Sequence, residues 1–169
     1  MSRWLVVGSY GMLGQDLVAA LAAAPGAHEV TGVDRDSVDI TDPDACLGAV
    51  AGHDIVVNAA AWTAVDEAET HEAQAFSVNA IGAANLARAC SASGARMVQV
   101  STDYVFAGDA TSPYAEDAPL APPSPYGRIK GHGERAGRTY HPATSRRGPT
   151  VSLHGADGPD ISPTQGHRS

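Results

Sequence analysis

The chain is poor in aromatic residues (5%), and its formal net charge of −8 leaves no continuous basic stretch. Both absences argue against a nucleic-acid partner, which requires a basic stripe and stacking side chains. There are two cysteines, Cys46 and Cys90, without Cys-x-x-Cys spacing or a neighbouring histidine pattern. Neither a zinc site nor a disulfide framework is suggested, and each thiol falls in an expected helix, where a buried free thiol is the expected state. No segment reaches the roughly 18 apolar residues needed to cross a bilayer, so no membrane partner is expected. The apolar run at residues 4–7 stops at Gly8; no secretory leader is expected, and the cytoplasm is the simplest location. The histidines show no metal spacing, no metal is expected, and no internal repeat is visible.

At 169 residues with 43% apolar content, one compact domain with a real core is expected. Short apolar strands are expected at residues 4–7, 29–33, 54–58 and 97–100. Between them lie helical patterns: Leu13, Leu17, Val18 and Leu21 up to Pro25-Gly26, and a start at Asp42-Pro43. A long Ala-rich stretch follows from about residue 72 to 92, anchored by Phe76, Val78, Ile81 and Leu86. Strands alternating with helices argue for an α/β fold with a parallel, doubly wound sheet. Residues 107–125 read as a loop, and a helix opens at Tyr126 and runs to about residue 136. Residues 1–136 thus form the expected domain. Residues 137–169 are rich in Gly and Pro, carry only Val151, Leu153 and Ile161 as aliphatics, and are expected to be disordered.

The segment Gly8-Ser9-Tyr10-Gly11-Met12-Leu13-Gly14 follows a strand and opens a helix. Glycine permits the tight turn and the close approach of backbone N–H groups to a pyrophosphate, and the helix N-terminus adds partial positive charge. In that context the pattern reads as a dinucleotide phosphate cradle. Asp34 ends the second strand, where a carboxylate accepts from an adenosine ribose 2′-OH and favours NAD. Arg35 beside it would hold a 2′-phosphate and favour NADP, so NADH and NADPH both stay open. Asp39-Ile40 follow, where a loop would wall the adenine.

Tyr126 and Lys130 stand four residues apart and share one helix face. A cation beside a phenol lowers its pKa, tuning it to give a proton to a carbonyl oxygen as hydride reaches the carbon. Lys130 would also hold a nicotinamide ribose. Thr102, just after the fourth strand, would bind the same carbonyl oxygen. Small residues at 59–61, before Trp62 and Thr63, let a flat cofactor pass closely, and Asn79 is kept as support for the site.

Five segments then carry a resemblance: GSYGMLGQDL (8–17), DITDPDA (39–45), VNAAAWTAVDEAE (57–69), VSTDYVFAG (100–108) and SPYGRIKGHGE (124–134). The chain resembles the extended short-chain dehydrogenase/reductases and, within them, the dTDP-4-dehydrorhamnose reductase family, over residues 1–136. The resemblance implies a Rossmann-type fold and NAD(P)H-dependent reduction of the 4-keto group of dTDP-4-dehydro-6-deoxy-L-mannose to dTDP-L-rhamnose, or of a related deoxysugar nucleotide. It implies Tyr126 as proton donor, Lys130 as its partner and Thr102 as carbonyl ligand. It places Gly8, Gly11, Met12, Leu13, Gly14, Asp34, Asp39, Ile40, Ala60, Ala61, Trp62, Thr63 and Asn79 along the cofactor, and Thr63, Thr102, Asp103 and Tyr104 toward substrate. Trp62 stands where the family has His or Tyr, and Gly131 and Gly133 where it has better helix formers.

Family members are nearly twice this length, so the expected sheet is incomplete and the residues after Gly137 read as a shifted-frame or shortened product. An incomplete sheet exposes an apolar edge, from which aggregation or a homodimer is expected. A non-catalytic cofactor-binding module and an inactive fragment are the alternatives to the reductase.

Overall fold

The computed structural model describes residues 1–26, 28–115 and 117–140 of the chain. Its frame is a four-stranded, all-parallel sheet in the order β2-β1-β3-β4, built from β1 (Ser2–Val7), β2 (His28–Val33), β3 (Ile55–Asn58) and β4 (Arg96–Gln99). Helices connect and cover the strands: α1 (Met12–Ala23), α2 (Pro43–Val50), the short α3 (Glu67–Thr70) and α4 (Glu72–Phe76), α5 (Ala83–Ser93) and α6 (Pro125–Tyr140). This is a Rossmann-type arrangement.

Registers decide which residues share a face. Leu5 lies beside Val56, and Val56 beside Met97. This row forms one core with Cys46 and Val50 of α2 and with Leu86, Ala87 and Cys90 of α5. The alternate row, Val6, Val57 and Val98, faces the other way. Gly32 sits beside Val6 in that row, and the space where its Cβ would stand is bounded by Val18 of α1 and by Ser9. One layer therefore holds α2 and α5, and α1 lies on the opposite face. Val98, on the edge strand, is 50% exposed.

Helix starts follow local chemistry. Asp42 caps α2 by accepting from the Asp44 N–H at 2.9 Å, and Pro43 takes the first turn. Gly94, at φ 75°, ends α5 in the left-handed conformation.

Three expectations are corrected. The helical stretch expected over 72–92 is present without interruption, but it is not α-helical throughout: Ser77–Gly82, between α4 and α5, is a π-helical segment. Within the wider i→i+5 turn Asn79 and Ala80 face inward and the expected anchor Ile81 is exposed; Phe76, the last residue of α4, is exposed as well. The last helix begins at Pro125 and continues to Tyr140, past the expected stop near residue 136, with the Tyr140 ring under the Arg88 guanidinium at 5.0 Å. Strand ends differ from expectation by a residue or two. The remainder of the expected tail, 141–169, lies outside the described residues. Both cysteines are buried free thiols, as expected.

Candidate active site

From β1 the chain runs through α1 to β2 on one side; from β3 it runs through α5 to β4 on the other. The crevice beyond the carboxyl ends of β1 and β3 is thus the topological switch point, where open α/β sheets bind ligands. Gly8 lies there at φ 82°, and a Cβ on it would stand 2.6 Å from the Ala60 backbone nitrogen. Only glycine accommodates both that φ and that contact. A Cβ on Gly14 would collide with the Gly8 carbonyl, so the turn and α1 meet backbone to backbone. The Gly8 and Ser9 N–H groups are taken up by the Val33 carbonyl at 2.9 and 3.1 Å.

At Gly11, α1 starts with no side-chain cap and no acidic residue in its first turn. Most helices place a Ser, Thr, Asp or Asn there. An uncapped N-terminus with its positive end turned to a glycine-lined crevice fits a pyrophosphate. Met12 is exposed, Leu13 half-buried and Gly14 buried.

Asp34 spans the cradle. One carboxylate oxygen accepts from the Tyr10 N–H at 3.0 Å and the other from the Arg35 N–H at 2.8 Å. It thereby braces the glycine loop as well as standing at the end of β2. Asp39 is exposed and held by the Thr41 N–H and hydroxyl, at 2.8 and 2.7 Å, which lowers its pKa. The Ile40 side chain is a core residue, so its main chain and Asp39 are what this turn offers to solvent.

The 59–63 segment is fixed from two sides. The Ala60 N–H donates to Asn58 Oδ1 at 3.1 Å. Asn79 bonds the Trp62 main chain twice: the Trp62 N–H donates to Asn79 Oδ1 at 2.8 Å, and Asn79 Nδ2 donates to the Trp62 carbonyl at 3.0 Å. Asn79 therefore positions the loop, with its amide spent on Trp62 rather than offered to a ligand. The Trp62 indole stacks on His71 at 6.2 Å between ring centroids, and Ala61 and Thr63 stand on either side of it.

The third part of the site hangs from the end of β4. Thr102 opens a 3₁₀ turn, Asp103–Val105; its hydroxyl donates to Asp103 Oδ1 at 3.2 Å and accepts from the Tyr104 N–H at 3.4 Å. Helix α6 packs on this turn so closely that a Cβ on Gly127 would meet the Tyr104 carbonyl. The Tyr126 and Tyr104 rings meet edge to face at 5.8 Å. Tyr126 and Lys130 are both buried, one helical turn apart, and Lys130 Nζ donates to the Val100 carbonyl at 3.0 Å.

The electrostatics differ from the expected coupling. Burial, then Tyr104 and Asp103, push the Tyr126 phenol above its ordinary value; Lys130 does not pull it down. Burial lowers Lys130 to about 8, opposed by Glu134. The cause is placement: the ammonium is turned to the Val100 carbonyl, away from water. The result is a phenol that keeps its proton at neutral pH, which a proton donor needs.

Some residues of the site escaped the sequence reading. Glu134 receives the Ser101 hydroxyl on Oε1 and Arg138 on Oε2, the latter at 3.2 Å. Its signal was its place one turn beyond Lys130. Asn85 binds the carbonyls of Ile40 and Thr41, each at 3.1 Å, and so holds the turn at residues 39–41; an Asn inside an Ala-rich helix was the available signal. Among the described residues no three His, Cys, Asp or Glu side chains gather as a metal site. No helix among them is long and apolar enough to cross a membrane.

Comparison with known proteins agrees with this geometry. Residues 2–145 match the family model described as RmlD substrate binding domain. The chain is 49% identical over 161 residues to a dTDP-4-dehydrorhamnose reductase of Streptomyces griseus, covering 94% of this chain and 52% of the relative. It is 48% identical over 160 residues to a probable dTDP-4,6-dihydroxy-2-methyloxan-3-one 4-ketoreductase of Streptomyces antibioticus, covering 92% and 53%. Among solved structures, the Bacillus anthracis dTDP-4-dehydrorhamnose reductase in complex with NADP superposes with a TM-score of 0.79 at 36% identity, covering 83% of this chain and 50% of that one. The chain spans about half the length of the relatives it matches.

Proposed function

Since the chain belongs to the RmlD substrate binding domain family, we propose that it is the cofactor-binding and proton-donating half of a nucleotide-sugar ketoreductase. The substrate class is a dTDP-4-keto-6-deoxy sugar, and the cofactor is NADPH or NADH. The observation that carries this reading is the meeting of two separate motifs at one sheet edge: the uncapped glycine cradle at the switch point, and Tyr126 with Lys130 packed on the turn that begins at Thr102.

The bound dinucleotide supplies hydride to the carbonyl carbon. The chain's own residues do the rest. Gly8, Gly11 and Gly14 keep side chains out of the pyrophosphate path, and the first turn of α1 offers N–H groups to it. Asp34 holds the glycine loop and faces the adenosine ribose, with exposed Arg35 alongside for a 2′-phosphate. Asn79 fixes the Trp62 main chain, so Ala60, Ala61 and Thr63 line the crevice at a set height. Tyr126 gives its proton to the carbonyl oxygen, Thr102 swings its hydroxyl proton from Asp103 to the same oxygen, and Asp103 and Tyr104 border the sugar. Lys130 serves the ribose beside them.

Calorimetric titration with NADPH and NADH, followed by a turnover assay with the dTDP-4-keto sugar, tests the reading. Saturable binding near one per chain is expected. Replacing Tyr126→Phe is expected to leave binding intact and to cut turnover by about 10²–10⁴-fold. Parent-like turnover in that variant sinks the assignment. The half-length match to relatives favours one second reading, a cofactor-binding module that works without turnover. Binding with no reduction, in a stable complex with another enzyme, is its signature.

A further inference from the structure

Glu134 closes the 124–134 segment but has been given no role so far, yet it sits where the site's two halves meet. Its carboxylate is 14% exposed and fully engaged. Oε1 takes the hydroxyl proton of Ser101, itself buried at the end of β4 and adjacent to Thr102. Oε2 takes Arg138 at 3.2 Å, one turn further along α6. One turn back stands Lys130, whose ammonium donates to the carbonyl of Val100, the residue before Ser101. Helix α6 therefore grips the strand end at two consecutive residues, through Lys130 at Val100 and through Glu134 at Ser101. Thr102 follows directly.

We propose that Glu134 is a positioning residue of the reduction site: it straps the strand end that presents Thr102 to the helix that presents Tyr126 and Lys130, and it supplies the negative charge against which Lys130 is buried. The inference rests on the ketoreductase reading for its purpose, though not for its geometry. A hydrogen bond to an ionised carboxylate is stronger than a neutral one, which suits a strap across two elements. A buried ammonium whose partner is only a neutral carbonyl is costly without a nearby anion. Glu134 is the charged group acting on Lys130, whereas Asp103 and Tyr104 of the 3₁₀ turn act on Tyr126. Arg138 draws on the same carboxylate from the far side, so the strap and the counter-charge are separable by mutation.

The full chain is used for the test, without substrate. In Glu134→Gln the size and one acceptor oxygen, for the Ser101 hydroxyl, remain, while the charge and the acceptor for Arg138 go. The titration midpoint of the Lys130 side chain, followed by NMR of its ε-methylene and ammonium groups, is expected to fall by about half a pH unit or more. In Ser101→Ala the charge remains and the strap goes. Amide hydrogen exchange at residues 101–104 is expected to accelerate about tenfold or more, with the Lys130 midpoint in place. A parent-like midpoint in Glu134→Gln, or parent-like exchange in Ser101→Ala, overturns the proposal. If Glu134→Gln fails to fold by circular dichroism, the exchange measurement decides alone. Failure of the parent chain to bind NADPH removes the ketoreductase reading but leaves both of these readouts standing.

Discussion

Gly131 and Gly133 are two residues apart in the same helix, and the same change to alanine is expected to move stability in opposite directions. A glycine inside a helix costs about 0.5–1 kcal/mol relative to alanine. At Gly131 an added Cβ meets only Leu120 Cδ1 at 3.5 Å, an ordinary contact with a side-chain end that can move. Gly131→Ala therefore collects the helix gain, and the melting temperature rises by about 2 °C at roughly 2–4 °C per kcal/mol for a chain this size. At Gly133 the added Cβ stands 2.5 Å from the Asn79 carbonyl oxygen and 3.3 Å from the Ala83 Cβ. The first of these is backbone and cannot swing away, so α6 must lift off the π-helical segment. Overpacking of that kind costs about 1–3 kcal/mol. Net of the helix gain, Gly133→Ala is expected to lose about 0.5–2 kcal/mol, or about 1–8 °C. Far-UV circular dichroism melts of the parent and both variants at matched concentration give the comparison. If Gly133→Ala melts above the parent, as Gly131→Ala should, then α6 and the π segment are not in close backbone contact and the placement of Asn79 argued above is wrong.

Lys130 predicts a pH dependence of stability with a definite sign. Its folded value of about 8 lies below the ordinary lysine value near 10.4, so the unfolded chain binds the extra proton between them. Stability from this group is expected to rise with pH across that window and to be flat below it. Urea denaturation of the parent and of Lys130→Met over pH 7–10 isolates it, because thiol and phenol contributions cancel in the difference; parallel curves would refute the burial of a titrating ammonium. Burial raises Cys46 to about 11 and Cys90 to about 12, so both are expected to resist a thiol reagent at pH 8 until the chain unfolds. Fast labelling of the native chain counts against the α2–α5 packing. Asn79→Ala is expected to cost about 1–3 kcal/mol, since the part-buried Trp62 N–H and carbonyl both lose their partner. The same variant should weaken NADPH binding, and an unchanged dissociation constant would show that the 59–63 segment holds its place without Asn79.

The parts of this site that were legible in the sequence are those whose meaning is local. A strand, three glycines and a helix start declare a cradle within one βα unit, and a Tyr and Lys four apart declare a shared helix face. Gly131 and Gly133 look alike in sequence because helix propensity is all that neighbours reveal; their difference depends on a carbonyl more than fifty positions away. The π segment was hidden for a related reason. An Ala-rich run fits a regular helix equally well, and what selects the wider turn is packing of Asn79 toward Trp62 and of Gly82 under Ile40, where a Cβ would stand 2.6 Å from the isoleucine side chain. The Tyr126–Lys130 pairing was read correctly as proximity and incorrectly as coupling, since spacing does not tell which way an ammonium is turned.

The strand that leads to Thr102 is one of the two outermost, and its Val98 side chain stands half in water. β1 and β3 are flanked on both sides, whereas β4 is hydrogen-bonded along one side alone among the described residues. Edge strands open at lower free energy than central ones. The lifetime of the contact between Thr102 and the Tyr126–Lys130 face of α6 is therefore set by fraying at the sheet's margin, well below the cost of unfolding its centre. Anything that zips onto that free margin would lengthen this lifetime without touching a single reacting group.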